Sequence, residues 1–481
     1  MNEKNVGSNF AWIYIERITQ QLLVFAVTMV LARLIVPEEH GSISLVIIFI
    51  AIANVFVEGG FGTALIQKKN AEEVDFSSAL WISFFVSIIL YLMIWFSAPF
   101  LEHFFRTEGF AVVFRVMGIK IIVSSLYTVQ QAYISRKRKF KLSFIVSSIG
   151  LGISAIIGII MAYSGAGVWA LVWQQMSSTL LTSVILLFVL DWHPKLLFSW
   201  TSVKEIFQFG GKMLISSLID TLYNNLRNLI IGKKYSSTDL AIYNKGEQFP
   251  QVVVTSINSS ISKLLLPMMS EQQDDKKRVK EYTRIAISLS SFVMAPMLVG
   301  MAVCAEDIIL LILTEEWLGA VPIMFVMSIM YMFYPIHTAN LQAIIAMGKS
   351  NVYMILEIIK KVIGVIFLVG ALVCFDSVIS IAVSGLIVSL IAIIINAVPN
   401  IWILDYKIRE QLKDLLVPVT CAVLMGVLVF VAGRSIESVV VRLLLRVLVG
   451  IISYVVLSVL LNRGTIRWLV NVVKEMKNRK K

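Results

Sequence analysis

The chain of 481 residues is short of charge. Asp, Glu, Lys and Arg make up 15% of it, against roughly 25% in an ordinary soluble domain. The charged faces that a soluble, helical protein of this length would need cannot be supplied, so a soluble globular enzyme is excluded. Cysteine is scarce as well. Cys304, Cys374 and Cys421 lie inside apolar runs with no CxxC pair and no neighbouring His, which excludes a disulfide scaffold and argues against a metal or redox role. Histidine occurs four times, at His40, His103, His193 and His337. HExxH, G-x-S-x-G and P-loop patterns are missing, so no catalytic motif is at hand. Alternation with period two is missing throughout, which excludes a β-barrel.

What is present is apolar mass. Hydrophobic residues make up 58% of the chain and the mean hydropathy is +0.85, the composition of an integral membrane protein. A crossing helix needs about 20 apolar residues. On that measure the sequence predicts fourteen spans: 10–35, 42–66, 77–101, 110–134, 143–163, 167–190, 206–231, 239–267, 283–313, 319–347, 353–373, 378–404, 415–433 and 439–461. The first apolar run holds Glu16, Arg17, Gln20 and Gln21, unlike the core of a cleavable signal peptide.

The net charge of +12 must be located before it is interpreted. With the N-terminus in the cytoplasm, 26 Lys and Arg fall in inside segments and four outside, at Arg106, Lys233, Lys234 and Arg434. This bias predicts a multi-pass membrane protein with both termini cytoplasmic. Nucleic acid is not an expected partner. The tail 463–481 sets Ile466, Leu469, Val470, Val473 and Met476 opposite Arg467, Lys474 and Lys477. That pattern predicts a basic amphipathic helix on the anionic leaflet. Asp274-Asp275 sits in a short charged run and is expected to be solvated rather than to hold Mg²⁺.

Two segments 200 residues apart share a pattern. Ala32-Arg33-Leu34 with Pro37-Glu38-Glu39-His40-Gly41 matches Gly232-Lys233-Lys234 with Ser237-Thr238-Asp239-Leu240-Ala241. A second echo pairs Gln131-Ala132 before Arg136-Lys137 with Gln342-Ala343 before Gly348-Lys349. Both relate span n to span n+6 in the same orientation. The expected fold is therefore an all-α polytopic protein of two parallel-repeat six-helix lobes, 1–200 and 201–405, with an additional helix pair at 406–462. Parallel repeats place a transport site at their interface.

Twelve Lys and Arg remain within the spans, where a charge costs at least about 2.5 kcal/mol at the bilayer centre. Span 7 is the sharpest case, because Lys212, Ser216, Asp220, Asn224 and Arg227 recur at i+4 or i+3 and share one face. Span 8 answers with Lys245, Gln248, Gln251, Thr255 and Asn258, beside Glu247. Span 1 carries Glu16 and Arg17, span 2 Asn54 and Glu58 before Gly59-Gly60, and span 4 Arg115 and Lys120. Ser, Thr and lone Asn positions are read as helix–helix glue. The ionisable set is read as lining a hydrated cavity whose cationic surplus favours an anionic ligand, such as a phosphate or pyrophosphate. Lys245, Lys360 and Lys361, near helix ends, are expected to snorkel.

The turn Ala32-Arg33-Leu34-Ile35-Val36-Pro37-Glu38-Glu39-His40-Gly41 resembles the ARLL-x-P-x-x-x-G turn of bacterial polysaccharide flippases. Phe61-Gly62 before Ala64-Leu65-Ile66-Gln67, and Gln131-Ala132 before a basic loop, resemble that family too. These are the Wzx-type translocases of the multidrug/oligosaccharidyl-lipid/polysaccharide exporter superfamily. In the second half the matching turn has Ser237 where the first has Pro37.

The resemblance implies alternating access around a cationic cavity, with a polyprenyl-diphosphate-linked oligosaccharide moved to the outer leaflet of the bacterial inner membrane. It implies no cofactor, H⁺ or Na⁺ as coupling ion, and polysaccharide assembly proteins as partners besides membrane lipids. Fourteen spans are similar to the lipid II flippase branch, where the extra pair receives the lipid tail. Under this reading Arg17, Arg115, Lys120, Lys212, Asn224 and Arg227 hold the headgroup, while Glu58, Asp220 and Glu247 pair with cations or bind the coupling ion. The gates would be the short loops with Gly59-Gly60, Pro250, Pro267 and Pro296. The alternatives are a cation-coupled drug exporter of the same superfamily and, from another class, a membrane glycan polymerase or ligase.

Overall fold

The computed structural model describes residues 3–58, 61–68 and 71–461. Within these, the side chains of 3–18, 209, 212, 259–260 and 263–264 lie outside the description. The tail 463–481 and the Gly59-Gly60 pair, for which a surface helix and a gate are expected, lie outside the described residues.

Helices occupy all fourteen expected segments. In chain order they are α1 (Glu3–Leu34), α2 (Pro37–Glu58), α3 (Phe61–Gln67), α4 (Glu73–Phe105), α5 (Phe110–Lys137), α6 (Phe140–Tyr163), α7 (Val168–Val189), α8 (Trp200–Lys234) and α9 (Ser237–Ser270). There follow α10 (Lys276–Val303), α11 (Ala305–Ile312), α12 (Ala320–Tyr331), α13 (Tyr334–Ala346), α14 (Ser350–Cys374), α15 (Val378–Ala397), α16 (Pro399–Leu404), α17 (Ile408–Val431) and α18 (Val439–Leu461). Some expected spans are broken rather than continuous. Pro335 and Pro399 open α13 and α16 at the first turn, where a missing N–H costs nothing. Pro250, Pro267 and Pro296 instead sit inside continuous α9 and α10 and interrupt neither.

Ten segments among the described residues are long and apolar enough to cross a membrane. The others of that length, α8, α9 and α14, carry Asp220 and Arg227, Lys245 and Glu247, and Glu357, Lys360 and Lys361 respectively. In α1 the apolar stretch is Thr19–Leu34. The protein is a multi-pass membrane protein whose least lipid-like helices are those with the polar stripes.

Residues 1–241 form one compact unit. In it α4 and α5 pair along their length, as do α6 and α7, while α1 packs on α6 and α2 on both α5 and α8. Gln20 Nε2 donates to Ser147 Oγ at 2.8 Å, tying α1 to α6. Phe49 lies edge-on to Phe105, Phe110 and Phe114. At the other end Phe61, Leu65, Phe76, Leu80, Val129, Trp192 and Ile206 form a buried cluster.

Polar ties close that end and fix the start of α8. Arg136 donates to the carbonyls of Leu65 and Ile66 at 3.1 and 3.3 Å, satisfying the last turn of α3. Lys68 bridges Asp75 on α4 and Glu205 on α8, both at 2.8 Å. Although desolvation works against it, these two carboxylates hold the Lys68 ammonium above its ordinary pKa. Ser199 accepts from the Ser202 N–H as the N-cap of α8, and its own N–H donates to Ser78 Oγ.

The two turns that share the sequence pattern also share their geometry. Helices α1 and α8 end at Leu34 and Lys234, and α2 and α9 begin at Pro37 and Ser237, each 200 residues apart. The turns touch: a Cβ on Gly41 would lie 1.7 Å from the Ser237 carbonyl oxygen, and one on Gly232 2.4 Å from the Leu45 side chain. Gly41 lets α2 approach the backbone at the start of α9, and Gly232 gives the Leu45 side chain room against α8, as small residues do in other membrane helix pairs.

Residues 242–481 form a second unit. There α10 packs on α12, α13 and α17, α14 on α15, and α17 on α18. Asp275 caps α10 by accepting from the Lys277 and Arg278 N–H groups at 3.0 and 3.2 Å. Helix α17 is locked to α10 by Arg284, which grips Asp414 through two bonds of 2.7 and 3.0 Å, and by Lys280 on Glu410 at 2.8 Å. Tyr406 donates to Asp414 at 2.7 Å; burial pushes its hydroxyl well above the usual tyrosine pKa, so it stays a donor.

Gly41→Ala should lower stability by about 1–3 kcal/mol, because the obstructing atom belongs to backbone. Gly152→Ala, with nothing within 4 Å of the added Cβ, should melt with the wild type. Equal thermal melts of the two variants in detergent would contradict the close approach.

Candidate functional site

The polar stripe of α8 is the first element of the site. Its buried positions are near its ends, at Ser202, Val203, Ile206 and Gly210 and again at Ile231 and Gly232. Between them Ser216, Asp220 and Asn224 are exposed and Arg227 is half-buried. The stripe thus lies on a stretch of α8 that its own unit does not cover. Lys212 belongs to the same helix face by spacing, and Arg17 to α1; both side chains lie outside the description.

Glu58 and Lys120 are the second element. Glu58 is exposed at the end of α2, Lys120 is half-buried on α5, and their charges face one another. One turn before Glu58, the Asn54 Oδ1 is buried with no hydrogen-bond partner among the described residues. The structure therefore brings these two predicted residues together. Arg115 it draws elsewhere: its Nε donates to the Trp95 carbonyl at 3.2 Å and its guanidinium lies 4.7 Å over the Trp95 ring. That pairing with α4 satisfies much of the Arg115 charge.

Glu247 lies in the second unit and is held by Tyr331, whose hydroxyl donates to its Oε1 at 2.7 Å. Its neighbour Lys245 does not snorkel. It is only 5% exposed, donates to Gln248 Oε1 at 3.4 Å and lies 5.6 Å from the Trp317 ring centre. A cation–π contact with Trp317 and burial outweigh its nearness to the helix end. Lys360 is paired with Glu357 one turn away at 2.5 Å.

A polar path through the second unit escaped the sequence reading. From Tyr331 it runs through Tyr334, with ring centres 4.9 Å apart, to His337 at 5.9 Å. His337 Nε2 lies 3.2 Å from Ser389 Oγ and its Nδ1 3.0 Å from Asn396 Nδ2. The i, i+3 spacing of Tyr331, Tyr334 and His337 was the available signal. Among the described residues no three His, Cys, Asp or Glu side chains gather as metal ligands.

A family model described as "Polysaccharide biosynthesis protein" matches residues 30–322. The chain belongs to this family. It is 24% identical over 423 residues to the teichuronic acid biosynthesis protein TuaB of Bacillus subtilis (strain 168), covering 85% of each chain. Its fold is similar to that of the lipid II flippase MurJ in an inward closed conformation, with a TM-score of 0.75 and 15% identity over 95% of this chain and 99% of that one. It is also similar to an inward-facing multidrug resistance MATE transporter of the MOP superfamily, with a TM-score of 0.61 and 16% identity over 84% and 99%. This member of the polysaccharide biosynthesis family thus has the polytopic fold of the MOP exporters. The resemblance carried by Ala32–Gly41 holds, and the matched segment contains both repeated turns.

Glu58→Gln and Lys120→Met should each lower the melting temperature, and the double variant should recover part of the loss. A coupling of about 0.5–3 kcal/mol is expected for an interacting pair; strictly additive melts would mean that the two charges do not interact.

Proposed function

We propose that this polysaccharide biosynthesis family member is a flippase. It carries a polyprenyl-diphosphate-linked oligosaccharide from the cytoplasmic to the outer leaflet of the bacterial inner membrane, with both termini cytoplasmic. The observation that carries the reading is the α8 stripe. On one face of the helix Asp220 and Asn224 are exposed and Arg227 is half-buried, with Lys212 in register by spacing. A desolvated guanidinium or ammonium recognises a diphosphate through charge-assisted hydrogen bonds. The sugar and diphosphate would enter a hydrated cavity beside Arg17, Lys120, Lys212 and Arg227, while the polyprenyl chain stays in lipid.

Transport on this reading breaks and forms no covalent bond and needs no cofactor. Alternating access arises from the two parallel-repeat lobes, 1–200 and 201–405, and the pair 406–462 serves the lipid tail. Glu58, Asp220 and Glu247 balance the cations when the cavity is empty, and a bound H⁺ or Na⁺ could replace that balance. The oligosaccharide would pass to polysaccharide assembly proteins. A drug exporter of the MATE type would call for an anionic cavity, which the surplus of Arg17, Lys120, Lys212 and Arg227 disfavours.

Lys212→Glu with Arg227→Glu should reduce surface polysaccharide at least ten-fold in a complementation assay, with membrane expression unchanged. Normal surface polysaccharide in that double variant would remove the anion site. Deletion should leave the host's drug susceptibility as it was; a sensitised host would instead favour the exporter.

A further inference from the structure

Two arginines on α18 have no role in the cavity described above. Arg442 and Arg446 lie on one helix face in the first two turns, and both hold Asp307 of α11. Arg442 Nε donates to Asp307 Oδ1 at 2.6 Å and Arg446 Nη1 to Oδ2 at 2.5 Å. The carboxylate is 0% exposed. Two guanidiniums against one carboxylate leave a surplus positive charge just inside the membrane. Further bonds run from Arg442 Nη1 to the Ile436 carbonyl and from Arg446 Nε to the Ala432 carbonyl, at 3.3 and 3.2 Å. Each guanidinium carries five N–H donors, more than these bonds use.

Next to Arg446 opens an apolar crevice of about 490 Å³. It exists because Gly300 on α10 and Gly450 on α18 withhold side chains opposite Met425. A Cβ on Gly300 would meet nothing closer than Met425 Cε at 3.9 Å. Along α18 the lining runs from Leu443 to Val455, and the stretch beyond Arg446 spans about 14 Å at 1.5 Å per residue. That is the depth of one leaflet, half of a hydrocarbon core of about 30 Å. Tyr454 borders the inner end, with its hydroxyl committed to the Phe292 carbonyl at 2.8 Å. Val447, Ile451 and Val455 on the rim are exposed, so the crevice opens sideways to lipid.

We propose that this crevice is a binding site for an anionic phospholipid of the leaflet at the α17–α18 loop. Its phosphate sits on Arg442 and Arg446, and one acyl chain fills the space beside Gly300 and Gly450. Lipid tails are as apolar as the crevice, so burial of the chain provides little discrimination. Selectivity comes from the surplus charge, and an anionic headgroup is preferred over a zwitterionic one. The depth fits a chain confined to one leaflet. The crevice lies on the α10 side of the pair 406–462; that side goes to a resident phospholipid, and the rest of the pair is left to the polyprenyl tail.

The test uses the full chain in nanodiscs of phosphatidylethanolamine with and without phosphatidylglycerol, released and weighed by native mass spectrometry. Wild type should retain one phosphatidylglycerol and should not retain phosphatidylethanolamine. Gly300→Leu, which fills the crevice and leaves the Asp307 cluster intact, should weaken retention at least ten-fold with wild-type melting. The triple variant D307N/R442Q/R446Q should do the same by removing the charges together, and R442K/R446K should keep the lipid. Wild-type retention by the Gly300→Leu variant would overturn the proposal, as would equal retention of phosphatidylethanolamine. Displacement of the phospholipid by an added polyprenyl phosphate would assign the crevice to the substrate tail instead.

Discussion

Hydrocarbon does not solvate charge, and the arrangement of this chain follows from that single constraint. Each ionised side chain within the apolar layer must find a partner, reach water, or face a space that holds one. Near the helix ends partners are supplied by neighbours: Lys68 by Asp75 and Glu205, Arg284 by Asp414, and Arg136 by the open carbonyls of α3. Such ties also decide which helix belongs where. Without Lys68 and the Ser199–Ser78 bond, the start of α8 would lose two of its polar anchors. Without Arg284 and Lys280, α17 would lose its ion pairs to α10.

Deeper in the helices the same constraint is met in different ways. Arg115 is answered by a carbonyl and an indole, and Glu247 by a tyrosine hydroxyl. The mid-helix polar groups of α8 lie where their own unit leaves them open. On the proposed flippase reading, that stretch is where the hydrated cavity would lie. Leaving polar groups open is an expensive arrangement for a helix that only needs to pack.

Much of the fold was legible because membrane spans are written in long runs. Length and hydropathy located the fourteen helical segments of the described residues, and the 200-residue echo located two turns whose flanking helices end and begin 200 residues apart. Breaks at Cys304 and Val398 were not legible, since a run of apolar residues looks the same whether the helix continues or bends. The site was legible only in part. Spacing placed Asp220, Asn224 and Arg227 on one face, because that depends on helix geometry alone. It could not foresee that Trp95 takes Arg115 or that Trp317 covers Lys245, because those depend on neighbours far away in sequence. Asp307 stayed hidden for the same reason: its partners Arg442 and Arg446 lie some 135 and 139 residues on.

The contact between Gly41 and Ser237 bears on how such a protein could have arisen and how it can be divided. By sequence period the seam between repeats falls near residue 200, whereas by packing it falls after Ala241. Helix α8 and the turn into α9, which open the expected second repeat, are therefore packed into the first unit. Ancestry and modularity do not share a boundary here. A fragment cut at the repeat seam would leave the α8-facing surface of α2 and α4 bare, and a chimaera with a relative would have to carry α8 along with the half it follows.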